Sequence, residues 1–178
     1  MTIVSTLVAL AMGAAPPTDR EVSFDGESKV RYVELNADGK ATLELRDGRH
    51  RVVVSLTVAE ATRDGPEGVV VGPSFDDASN TRRLIVDTDI WVDGCSVEQQ
   101  VPPIRGMSMP NGAALSGRDG RWELQIFGGE SAEAYGIKYG FDKDRILSRE
   151  LGWGPDYSET TTYDIQVDRE VAPRQCSQ

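Results

Sequence analysis

The residues whose types and spacing could do chemistry lie in IVDTDIWVD, positions 85–93. The odd positions carry Asp87, Asp89, Trp91 and Asp93, and the apolar residues Val86, Ile90 and Val92 take even ones. Alternate residues of a strand share a face, so three carboxylates and an indole are expected on one side, with next-but-one residues roughly 6–7 Å apart. Glycosidases place their acid and base at separations of that order. An indole beside carboxylates also suits a sugar without any catalysis, the ring stacking and the carboxylates accepting hydrogen bonds from hydroxyls. The solvated side of any half-exposed strand in an acidic protein gives the same pattern, with ordinary acidities. A second aromatic pair, Trp153 and Tyr157, sits in the Gly/Pro-rich GWGPDY. There it serves either as a loop binding contact or as a plug for the end of the fold.

The stretch EAYGIKYGFDKDRILSRE, residues 133–150, places Tyr135, Ile137, Tyr139 and Phe141 on every second position, followed by Asp142-Lys143-Asp144-Arg145. It reads as a hairpin with one apolar face rather than as a ligand site. Ca²⁺ takes about six to eight oxygens, and an EF-hand loop adds a Gly and a distal Glu at set spacing. The Asp-x-Asp falls short of that, so no cofactor is expected and Ca²⁺ is the alternative. His50 is the single histidine and shares the parity of Val52 and Val54, which places it at the edge of a core. No serine has a nucleophile setting such as GxSxG. FGGES follows a strand but precedes neither a basic residue nor a helix, so it is not a phosphate loop. Cys95 and Cys176 lie in no CxxC and near no histidine. Zinc and redox chemistry are therefore unsupported, and a Cys95–Cys176 disulfide is the expectation in an oxidising compartment.

These residues must be carried by strands. Asp-Gly occurs at 25–26, 38–39, 47–48, 64–65, 93–94 and 119–120, and Asn111-Gly112 adds another turn signal. Asp-Gly suits two-residue hairpin loops because both central residues need positive φ. Between the turns the sequence alternates. Ala41, Leu43 and Leu45 face Val52, Val54, Leu56 and Val58 across the turn at 47–48. Leu84, Val86, Ile90 and Val92 form a third set, Trp122, Leu124 and Ile126 a fourth, and Thr161, Tyr163, Ile165 and Val167 a fifth. No window shows a helical period. About ten short strands joined by Asp-Gly turns predict an all-β fold, an antiparallel β-sandwich, with a small β-barrel as the alternative. Residues 102–120 read as a long mobile loop or cover.

The chain has 178 residues, formal net charge −10 and pI about 4.6. That acidity excludes nucleic acid, which requires a basic footprint, and disfavours anionic membranes; it suits solubility or a basic partner. Residues 1–14 contain no charged side chain, and an apolar run followed by small residues is the layout of a signal peptide. The expectation is therefore a leader over 1–14, a single β domain over 15–178, no membrane span after leader removal, and a periplasmic or secreted location. The function expected is that of an exported cell-envelope binding protein without catalytic activity. It would be inhibitor- or immunity-like, with a basic protein partner. The alternative is a carbohydrate-binding module or weak glycan-active enzyme using Asp87, Asp89, Trp91 and Asp93.

Overall fold

Eleven strands and no helix are formed by the residues that the computed structural model describes, namely 20–24, 28–62, 81–99, 106–130, 133–153, 159–164 and 176. In chain order they are β1 (Arg20–Phe24), β2 (Ser28–Glu34), β3 (Gly39–Asp47), β4 (His50–Thr62), β5 (Thr81–Val92), β6 (Cys95–Ser96), β7 (Pro110–Arg118), β8 (Arg121–Gly128), β9 (Tyr135–Phe141), β10 (Ile146–Trp153) and β11 (Glu159–Asp164). They make two antiparallel sheets, β1-β2-β7-β8-β9-β10-β11 and β3-β4-β5-β6. The sheets are not closed on each other, so the fold is a β-sandwich and not a barrel. The four-stranded meander is inserted between β2 and β7, which pair directly through Arg31 with Leu115 and Val33 with Ala113.

Both sheets give one face to a single apolar layer. Leu43, Leu45, Val52, Val54 and Leu56 enter it from the smaller sheet, and Leu115, Leu124, Ile126, Ile137 and Phe141 from the larger. These positions alternate in sequence because the pleat sends alternate side chains to opposite faces. The turns do as much as the strands. Asp93-Gly94 (φ 54° and 80°) and Asp119-Gly120 (φ 55° and 79°) take positive φ at both central residues, the requirement of a type I′ hairpin. At 47–50 the pairing of Asp47 with His50 makes Gly48 and Arg49 the central residues, with Gly48 at φ 56°.

Three expectations change. In β5 the apolar set does not run 84-86-90-92. Thr57 pairs with Asp87 and Val58 with Ile85, so Val86 is the extra residue of a bulge. The bulge reverses the parity N-terminal to it: Ile85 joins the core, whereas Leu84 is buried outside that cluster. Residues 110–118 form β7, an inner strand of the larger sheet, where a mobile loop was expected. Its turn-like residues have packing reasons. Pro110 is the first residue of the strand, a position that tolerates a missing N–H. A Cβ on Gly112 would lie 2.5 Å from the Tyr32 hydroxyl oxygen, and one on Gly117 (φ 154°) 2.5 Å from the Arg121 carbonyl oxygen. Asn111-Gly112 is accordingly inside a strand and not a turn. Trp153 ends β10 and is not in a loop. Residues 1–14, where a leader is expected, lie outside the described residues, as do Ile165 and Val167.

The Cys95–Cys176 disulfide is formed. It joins β6 at the edge of the smaller sheet to the C-terminal segment, and the two cysteines also form an antiparallel bridge. No helix among the described residues is long and apolar enough to cross a membrane.

Two outcomes are expected in denaturant unfolding. Gly117→Ala should destabilise by about 2–3 kcal/mol, since neither the backbone conformation nor the Arg121 carbonyl can yield freely. Replacing both Cys95 and Cys176 by serine should cost about 2–4 kcal/mol. Wild-type midpoints for either variant would contradict the packing assigned to β7 or the contribution of the cross-link.

Candidate functional site

The outer face of the smaller sheet is built from the register of its strands. The turn at 47–50 sets Glu44 opposite Val53 and Arg46 opposite Arg51. The β4–β5 ladder sets Val53 opposite Trp91, Ser55 opposite Asp89 and Thr57 opposite Asp87, and β6 adds Ser96 beside Trp91. One row across the sheet therefore reads Glu44, Val53, Trp91, Ser96. The next row holds Thr42, Ser55 and Asp89. Trp91 and Asp89 are half-buried and Asp87 is exposed.

Diagonal neighbours complete the site. The Arg51 guanidinium donates to both carboxylate oxygens of Glu44, Nε to Oε1 at 2.9 Å and Nη2 to Oε2 at 2.7 Å. Such fork-to-fork pairing fixes the guanidinium plane. The Arg51 hydrogen bond holds the Glu44 carboxyl below its ordinary range. Arg51, Val53, Trp91 and Gly94 line a cleft of about 270 Å³.

Asp93 does not share this face. It occupies the left-handed first position of the β5–β6 turn. Its Oδ1 accepts the Arg51 backbone N–H at 2.9 Å and its Oδ2 lies 2.7 Å from His50 Nδ1. The Arg51 N–H, then His50, keep the Asp93 carboxyl below the usual range. The three-carboxylate face expected from sequence is thus a two-carboxylate face, with the third acid turned to the sheet end. There His50 meets Trp122 edge-on at 5.5 Å, so the pair bridges the two sheets.

A second, smaller cleft of about 200 Å³ lies at that end, lined by His50, Gly120, Arg121, Trp122, Asp142, Lys143 and Asp144. The Asp-x-Asp beside it is a turn. Asp142 Oδ1 accepts the backbone N–H groups of Asp144 at 2.8 Å and Arg145 at 3.0 Å, and Oδ2 faces Arg121 at 3.6 Å. No group of three or more His, Cys, Asp or Glu able to hold a metal ion occurs among the described residues.

The aromatic hairpin is core. Tyr135 and Tyr139 are buried. Burial pushes the Tyr139 hydroxyl up to about 12 and raises that of Tyr135 further, while Tyr135 donates to the Ser108 carbonyl at 2.9 Å. Trp153 packs against the core with its ring 6.3 Å from that of Tyr135. It belongs to the larger sheet, so the structure does not bring it onto the Trp91 face. Tyr157 lies outside the described residues.

Sequence reasoning missed two features, the Arg51–Glu44 fork and the His50–Asp93 pair. The first had a signal, because the turn fixes the hairpin register and the register makes Glu44 and Arg51 diagonal neighbours. The second depends on the β4–β5 register, which no local turn sets. No protein-family model, curated protein or solved structure matches this chain.

A lowered carboxyl pKa stabilises the fold above the unfolded value and ceases to do so as pH falls through the folded one. Asp93→Asn should therefore be less stable than wild type at about pH 7, and the gap should close below about pH 4. Urea midpoints measured across that range check it. A gap that stays constant would mean that the Asp93 charge contributes nothing.

Proposed function

We propose that this chain is an exported binding protein without catalytic activity, and that it recognises its partner through the outer face of the four-stranded sheet. The observation that carries this reading is Trp91. A large indole stands half-buried in a cleft, on a sheet whose opposite face is the core. A rigid aromatic at the centre of a polar surface is the usual anchor of a recognition site. Exposed Asp87 and half-buried Asp89 lie along the same strand and add acceptors to that face. Export is supported by the leader-like residues 1–14 and by the Cys95–Cys176 disulfide, which fits an oxidising compartment such as the periplasm or the exterior.

The net charge of −10 favours a second reading, in which the partner is a basic protein attracted over a distance, as for an inhibitor or immunity protein. The face itself is of mixed sign, since Lys40, Arg46 and Arg51 stand with Glu44, Asp87 and Asp89.

The test is capture from a cell-envelope fraction with wild type and Trp91→Ala as baits. Trp91→Ala should lose the wild-type partner while melting within about 2 °C of wild type, as expected for a surface change. A partner retained in full by Trp91→Ala would remove this face from recognition. A protein partner released by salt would favour the second reading; cell-wall polymer held through high salt would favour a glycan.

A further inference from the structure

The Trp91 cleft has a composition that selects among ligands. We infer that it takes one uncharged pyranose ring of a glycan, stacked on the Trp91 indole and hydrogen-bonded through its hydroxyls to the Arg51 guanidinium that Glu44 holds in place. This inference rests on the reading of the face as the recognition surface. Three features carry it.

The first is size. At about 270 Å³ the cleft lies just below the roughly 300–1,000 Å³ of pockets that enclose drug-sized ligands. It accommodates a single ring and not an extended segment.

The second is charge. Arg51 is the one charged residue lining the cleft among the described residues, and it is paired fork-to-fork with Glu44 at 2.7 and 2.9 Å. A cationic ligand would contact a guanidinium. An anionic one would compete with Glu44 for a guanidinium that is already paired, on a chain of net charge −10. A neutral ligand meets neither penalty.

The third is the arrangement of donors and apolar surface. A guanidinium has five N–H donors in a fixed plane, and the Glu44 fork engages Nε and Nη2. The remaining donors belong to a side chain that lines the same cleft as the indole and Val53. A pyranose offers an apolar C–H face to the indole and adjacent hydroxyls to such donors. Asp89, next-but-one to Trp91 on the same strand, supplies an acceptor roughly 6–7 Å away for a neighbouring hydroxyl.

The test uses the full chain and calorimetric titration with defined hexasaccharides. Cello-, malto- and N-acetylated chito-oligomers are the neutral probes, de-acetylated glucosamine oligomer the cationic one and oligogalacturonate the anionic one. At least one neutral oligomer should bind, with less than about a twofold change between low and high salt. The charged oligomers should bind at least about tenfold more weakly. Trp91→Ala should lose about tenfold or more, with Trp91→Phe intermediate, and Arg51→Lys should lose about tenfold because an ammonium cannot reproduce the planar fork. Glu44→Gln should weaken binding several-fold. Melting curves of every variant separate loss of the site from loss of the fold.

Tightest binding by the cationic oligomer, or an Arg51→Lys variant equal to wild type, would overturn the inference. If no oligosaccharide binds but Trp91→Ala still abolishes capture of the envelope partner, the sugar class is overturned and the recognition face stands. If Trp91→Ala changes neither, both fall together.

Discussion

One apolar layer between two open sheets is the constraint on which the rest of this structure depends. Each strand in the layer must send alternate side chains inward, and a strand whose sequence cannot do so along its whole length must break its own alternation. β5 does this. Its C-terminal half buries Ile90 and Val92, its N-terminal half buries Ile85, and Val86 is displaced into a bulge to reconcile them. With Ile90 and Val92 committed to the core, Trp91 and Asp89 are committed to the opposite face. The position of the candidate site is therefore a consequence of core packing.

The same constraint explains what was legible beforehand. β3, β4, β8 and β9 have unbroken alternation and turns with their own chemistry, so their inward sets could be written from sequence. The Asp-Gly turns at 93–94 and 119–120 adopt the backbone that their residue types favour. The Cys95–Cys176 pairing followed from there being two cysteines and from the oxidising compartment that the apolar run at 1–14 suggested. β7 was not legible. Its glycines signal a loop in isolation, yet they exist to admit Tyr32 and to pass close to Arg121 and Trp122. These are contacts between strands, invisible to a local reading. The bulge in β5 was hidden for a related reason, since Leu84-Ile85-Val86 offers three apolar residues and only pairing with β4 decides which is extra.

The candidate site was half legible. The face carrying Asp87, Asp89 and Trp91 follows from strand parity, but Asp93 leaves it because the left-handed turn conformation re-aims the side chain toward His50. The consequence is chemical. With Asp93 held by His50 and the Arg51 backbone N–H, the fork-paired Arg51 is the most directional charged group beside Trp91. Acidity, read from composition, describes the whole molecule; among the described residues the cleft itself is lined by an arginine, a valine, an indole and a glycine. Global charge and local chemistry therefore point to different partners, and the local geometry decides what can touch Trp91.

The three tryptophans provide the most direct measurement. Trp122 is buried in the core, Trp153 packs beside Tyr135, and Trp91 stands on the outer face. Their indole N–H resonances can be assigned by single substitutions and followed in a ¹⁵N-labelled sample while solubilised envelope material is titrated in. With Trp91 as the contact, its indole signal moves or broadens first and the Trp122 signal stays in place. Movement confined to Trp153 or Trp122, with Trp91 unchanged at saturation, would contradict that contact.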